Sequence, residues 1–170
     1  MKDHHFKIIV CGYNVEKYIA ANIKSIQNQT HTNFHCIIVD AKSTDNTVAK
    51  AQELIAGDSR FEIVCNEERK FALQNIFEAA HYSNPDDEDI VTTVDGDDWL
   101  YDENALAKVN QCYNEDPDLV LTYGNYIHYP DGSNSELGAY PQEIIETQNY
   151  RGYKWLASHL RTYKFKLFKH

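Results

Sequence analysis

The sequence predicts an α/β fold, a doubly wound and mainly parallel sheet with helices on both faces, on three observations. Short apolar runs recur at residues 6–11, 36–39, 61–65 and 90–94, segments with helical spacing separate them, and polar residues follow the end of most runs. Strands that alternate with helices imply right-handed crossovers and a parallel sheet. The loops after successive strands then share one edge, where open α/β sheets bind ligands.

The run at residues 6–11 is continuously apolar and ends in the turn Gly12-Tyr13-Asn14. Tyr18, Ile19, Ala21, Asn22, Ile23 and Ile26 then recur near helical spacing. The second strand ends at Asp40, and Ser43-Thr44-Asp45 opens a helix expected to run to about Ala56, where Gly57-Asp58 stops it. A third helix is expected over residues 70–82, with Phe71, Leu73, Ile76, Phe77 and Ala80 as its apolar positions. Residues 90–94 are β-branched throughout and suit a buried strand. Beyond them come a helix over 105–113, a longer strand over 119–129, and a turn at Pro130-Asp131-Gly132-Ser133 that folds the chain into a hairpin. Residues 155–163 read as a helix and loop, and 161–169 as a basic, aromatic tail. Residues 1–126 are expected to form the α/β core; 127–170 add a hairpin and the start of a further region of the same domain, incomplete at its C-terminus.

A chain of 170 residues can bury one sizeable core. Its formal charge is −10, and nine acidic residues with no Lys or Arg fall between Asp86 and Glu103. That balance argues against nonspecific nucleic-acid binding, which draws its affinity from Lys and Arg. Cys11, Cys36, Cys65 and Cys112 lack any zinc spacing and read as reduced thiols, mostly buried, as in a cytoplasmic protein. No apolar leader opens the chain, and no stretch approaches the ~20 apolar residues of a membrane span. The tail leaves room for a peripheral membrane contact, although packing on another region is the favoured reading.

The segment Asp95-Gly96-Asp97-Asp98-Trp99 carries the chemistry. Two carboxylates spaced Asp-x-Asp at a strand end can hold Mn²⁺ or Mg²⁺ against a diphosphate, because such ions bind through one or two carboxylates plus substrate phosphates. A bland alternative is that these residues only cap the next helix, which needs one of them. An EF-hand is excluded, since Trp99 and Leu100 stand at the fifth and sixth positions, where a ligand and a glycine are required.

Four stretches, in order and in register, carry a resemblance: Cys11-Gly12-Tyr13-Asn14, Ser25-Ile26-Gln27-Asn28-Gln29-Thr30, Val39-Asp40-Ala41-Lys42-Ser43-Thr44-Asp45, and Val94-Asp95-Gly96-Asp97-Asp98-Trp99. Together they resemble an inverting family 2 glycosyltransferase of GT-A, Rossmann-like fold, over roughly residues 6–126. The resemblance implies transfer of a sugar from a nucleoside-diphosphate-sugar, with UDP favoured, to a hydroxyl on a glycan, lipid or protein. It implies that Cys11, Tyr13 and Asp40 hold the nucleotide, and that Tyr13 stacks on the base, although ring packing weighs equally for Tyr13. Asp95 and Gly96 would line the ribose and diphosphate, Asp97 with Asp95 would ligate the metal, and Lys70 or Arg69 would add a cation. Asp40 has a plainer reading as a turn former, and Ser43 or Thr44 as an N-cap.

Two departures stand out. The family's second Asp and its glycine in the Asp-Asp-Gly-Ser segment are Ala41 and Lys42 here, which leaves a base contact missing or replaced. The carboxylates after Gly124, namely Asp131, Glu136, Glu143 and Glu146, match no motif for the general base, which is expected beyond residue 170. His159 is read first as structural and second as an aid to metal or diphosphate. Two other functions stay open: a non-catalytic nucleotide-binding module, and an aspartate-nucleophile phosphotransferase using Asp95.

Overall fold

A computed structural model describes residues 2–135 and 138–168. Its elements follow the order β1 (Phe6–Gly12), α1 (Ile19–Gln27), β2 (Phe34–Asp40), α2 (Thr47–Ile55), β3 (Phe61–Cys65), α3 (Ala72–Tyr82), β4 (Ile90–Asp95), α4 (Ala105–Glu115), β5 (Leu121–Gly124), α5 (Gln142–Thr147) and β6 (Ser158–Lys164). One six-stranded sheet runs in the order β3-β2-β1-β4-β6-β5. Strands β1 to β4 are parallel, whereas β6 lies antiparallel between β4 and β5.

The continuous apolar run of β1 follows from helices covering both faces. Ile8 and Val10 face α1, α2 and α4, packing with Ile19, Ile23, Ile26, Ala51, Leu106 and Tyr113. Ile9 points the other way, with Ile37, Val39 and Val91, onto Ala79 and Ala80 of α3 and onto Phe165. No helix among the described residues is long and apolar enough to cross a membrane.

Several boundaries differ from expectation. Helix α2 begins at Thr47 rather than near Ser43, because the intervening side chains bridge two loops: Ser43 Oγ accepts from Asn14 N at 2.9 Å, and Thr44 N donates to Asn14 Oδ1 at 2.8 Å. Strand β5 is shorter than 119–129, with a register irregularity between Thr122 and Gly124. Beyond it, Ile127 bridges Asn134 across the expected hairpin turn. The largest correction concerns residues 155–163, expected as helix and loop. Residues 158–164 form β6 in the interior of the sheet, where Thr162 is fully buried and its Oγ1 meets Tyr113 Oη at 3.0 Å and Thr122 Oγ1 at 2.7 Å. The sheet therefore draws on residues well past 126.

Candidate functional site

The parallel strands end in register. Gly12 pairs with Asp40, Asp40 with Cys65, and Cys11 with Asp95. Asp40 and Asp95 therefore flank the end of β1 on opposite sides. Gly96 seals the junction, donating its N–H to the Cys11 carbonyl at 2.9 Å. A Cβ on Gly96 would stand 3.0 Å from both Cys11 O and Gly12 Cα, so only glycine lets the two loops meet this closely.

On the β2 side Asp40 is only 4% exposed. Its Oδ2 accepts from Ser43 N at 2.9 Å, while Oδ1 is buried without a hydrogen-bond partner. A buried carboxylate oxygen left unpaired is costly, which points to a donor supplied by a ligand. Tyr13 is 37% exposed, and the Arg69 guanidinium lies 4.1 Å from its ring centroid. Lys70, expected beside the site, is instead paired with Glu78 at 2.6 Å. Lys42 adopts φ 71°, the left-handed conformation for which a glycine is suited. Burial pushes the Cys11 thiol up to about 12, with the Asp95 charge adding to the shift, so it stays protonated and is no nucleophile.

On the β4 side Asp95, Asp98 and His159 bring one ligand atom each within 4.8 Å of one another. His159 Nε2 lies 3.6 Å from Asp95 Oδ2 and 3.9 Å from Asp98 Oδ2, and makes no hydrogen bond. The contact with His159 lowers the Asp95 pKa, and the same contact raises that of His159. Burial raises Asp98, with the neighbouring Asp97 and Asp95 charges adding to it. Asp97, expected as a metal ligand, is exposed and stands outside this group. The reason is local: Asp98 N donates to Asp95 O at 2.9 Å, a turn that turns the first and fourth residues toward each other.

A stripe of α1 holds this turn, which the sequence reading missed because Asn22 fits the helical apolar periodicity. Asn22, fully buried, donates to the carbonyls of Asp95 and Asp98. One turn on, Ser25 Oγ accepts from Leu100 N at 3.0 Å. Gln29 reaches Asp102 O at 2.7 Å and Leu106 N at 3.0 Å, and Thr30 N donates to Glu103 O at 2.8 Å. His159 arrives from β6, and Gly124 makes room for it: a Cβ there would lie 2.7 Å from His159 O and 2.9 Å from Leu160 N. Nothing in the local sequence around His159 announces that approach.

Of the later carboxylates, Asp131 is engaged with Ser133 in the hairpin turn, Glu143 and Glu146 lie exposed on α5, and Glu136 falls outside the described residues. Among the described residues, none of Asp131, Glu143 and Glu146 joins the Asp95–Asp98–His159 group.

Comparison with known proteins bears on this architecture. The chain is 31% identical over 147 residues to the Escherichia coli UDP-Glc:alpha-D-GlcNAc-diphosphoundecaprenol beta-1,3-glucosyltransferase WfgD, covering 85% of this chain and 54% of that protein. It is 27% identical over 128 residues to the glycosyltransferase GlyG of Streptococcus pneumoniae, of which it spans 41%. The chain thus spans about half the length of such curated relatives, or less. Among solved structures, S. aureus TarS residues 1–349 bound to UDP superposes with a TM-score of 0.72 at 21% identity, over 97% of this chain and 48% of that one. The mannosyltransferase PcManGT of Pyrobaculum calidifontis, solved with GDP-Man and Mn²⁺, gives 0.70 at 18% identity, over 97% and 46%. These likenesses establish the shared GT-A fold. With the model of the family described as "Glycosyl transferase family 2" matching residues 7–170, the chain belongs to that family of glycosyltransferases.

Proposed function

We propose that this chain is the donor-binding part of an inverting enzyme that transfers a sugar from a nucleoside-diphosphate-sugar to an acceptor hydroxyl. The observation that carries the reading is the register across β1: an unpartnered buried carboxylate oxygen at Asp40 on one side, and the Asp95–Asp98–His159 group on the other. A nucleoside diphosphate has the matching polarity, with N–H donors on its base at one end and phosphates needing a cation at the other.

In this reading Asp40 Oδ1 accepts an N–H from the base edge, Tyr13 offers its ring, and the close-packed Cys11, Gly12 and Gly96 backbone leaves room for ribose and diphosphate. UDP is the favoured nucleotide, since the relative WfgD is named for UDP-Glc and TarS is solved with UDP. Asp95, Asp98 and His159 fit a divalent cation, with Asp97 available from solvent as the diphosphate enters. One imidazole and two carboxylates suit Mn²⁺ better than Mg²⁺, which prefers an all-oxygen shell. Such a cation supplies charge neutralisation to the departing nucleoside diphosphate. Arg69 is the nearer cationic candidate beside Tyr13, Lys70 being engaged by Glu78.

The test is a thermal-shift panel of UDP, GDP, CDP and dTDP with and without Mn²⁺. One nucleotide at ~100-fold excess over its Kd should stabilise the protein by roughly 2.7 kcal/mol, with Mn²⁺ required. An Asp95→Ala variant should lose the metal-dependent part. No stabilisation by any nucleotide with Mn²⁺ would overturn the reading.

A further inference from the structure

Two exposed apolar surfaces differ in chemistry. Phe71, Leu73, Phe77 and Phe168 form a hydrocarbon patch on and beside α3, and nothing in the structure says what covers it. The second surface lies at the mouth of the acidic turn and is built of rings that carry polar atoms. Trp99 directly follows Asp98, and its ring meets that of Tyr129 at 4.9 Å, edge to face. Tyr126 meets His128 at 5.0 Å and His159 at 6.3 Å, also edge to face. Tyr129 is 74% exposed and Tyr126 38%.

Both contacts come from one hairpin. Ser135 N donates to Tyr126 O at 3.0 Å and His128 N to Ser133 O at 2.8 Å, which closes residues 126–135 on themselves. The hairpin therefore meets the residue after the acidic turn, through Tyr129 on Trp99, and the β6 residue beside that turn, through Tyr126 on His159. Edge-to-face packing holds each ring pair by its quadrupole, and Tyr129 keeps most of its surface open to solvent. Amphipathic rings next to a cation-type site suit a ligand that is itself amphipathic, with C–H groups on one face and hydroxyls at its rim. A pyranose ring has that form; a lipid tail would match the hydrocarbon patch on α3 instead.

We propose that Trp99, Tyr126 and Tyr129 form a stacking subsite for the pyranose ring of the acceptor. The assignment of that ring to the acceptor rests on the donor reading above, because it takes the diphosphate to lie against Asp95 and Asp98. Exposed aromatics also carry little side-chain entropy to lose, so a rim of this kind is already organised before the sugar arrives.

The test is saturation-transfer-difference NMR on the whole chain, with methyl β-D-glucopyranoside and, as an acyclic polyol lacking a C–H face, ribitol. Spectra are taken with and without UDP and Mn²⁺, for the native protein, Tyr129→Ala and Trp99→Ala. Saturation should reach the ring protons of the pyranoside and not ribitol, and should fall by about threefold or more in each variant. Circular dichroism of each variant checks its fold; Tyr129, being exposed, is the substitution that leaves the core untouched. Equal signals from ribitol, no signal from the pyranoside, or signals unchanged in both variants would overturn the subsite. The UDP-induced thermal shift of the native protein separates the two readings. A shift without pyranoside signal sinks the subsite alone. A ring-dependent pyranoside signal without any shift sinks the donor reading and keeps the sugar subsite.

Discussion

Asn22 donates from a single amide nitrogen to two backbone carbonyls, Asp95 O at 2.9 Å and Asp98 O at 2.8 Å. The two ends of the acidic turn are thereby tied to one buried side chain on α1. Replacing it with Leu keeps the branched shape but takes one donor from each carbonyl, leaving Asp95 O with Asp98 N alone, at a cost of about 1–3 kcal/mol. Urea unfolding of Asn22→Leu should show that loss, and Mn²⁺-dependent stabilisation by UDP should weaken with it. Unchanged stability would mean the turn holds its shape without α1.

Gly124 sets the distance between β5 and β6. Because a Cβ would press on His159 O and Leu160 N, which are backbone atoms, the strain of Gly124→Ala cannot be relieved by a side-chain rotation. Overpacking of this kind costs about 1–3 kcal/mol. The variant should also bind Mn²⁺ more weakly than the native protein in a calorimetric titration, since displacing the His159 backbone disturbs the spacing of its Nε2 from Asp95 and Asp98. Native Mn²⁺ affinity in a destabilised Gly124→Ala would detach His159 from the metal group.

The contrast between Asn22 and His159 marks how far the sequence could be read. Strands β1 to β4 and the helices between them were legible, because both periods are local and the helices bury one side of each amphipathic pattern. Strand β6 was not. Ser158 to Lys164 mixes Ser, His, Arg, Thr and Lys, and becomes a strand only because β4 and β5 pair with it from far along the chain. Of the site, Asp40 and the acidic turn could be named from strand ends. The grouping of Asp98 with His159 could not, since it depends on that non-local pairing, and neither could the pairing of Lys70 with Glu78, which needs the helix that starts at Ala72.

Asp40→Asn tests the nucleotide pocket at one atom. The amide oxygen can keep the bond from Ser43 N, which turns the NH2 group to the position of the unpaired Oδ1. A donor then faces the N–H of the base. UDP affinity should fall about 10- to 100-fold, or ~1.5–3 kcal/mol, the range for hydrogen bonds to a charged group. Mn²⁺ binding measured without nucleotide should hardly change, because Asp40 lies across β1 from Asp95. Equal UDP affinity in the two proteins would remove Asp40 from base recognition.

Glu88 fastens the end of β6 to the loop before β4. Lys166 at 2.9 Å and Lys164 at 3.0 Å draw its carboxyl down from the ordinary 4.5 to about 2. A carboxyl depressed in the folded state stabilises the fold above its ordinary pKa, and that contribution drains away as pH falls toward the folded value. The effect is modest, since the Glu88 side chain is 47% exposed and screened by solvent, although Lys164 is almost fully buried. The urea midpoint of Glu88→Gln should therefore lie below that of the native protein at neutral pH. The gap should be constant down to the ordinary carboxylate pKa of 4.5, narrow below it, and close near 2. A gap that persists at the acid end would mean that Glu88 acts on β6 through packing rather than through its charge.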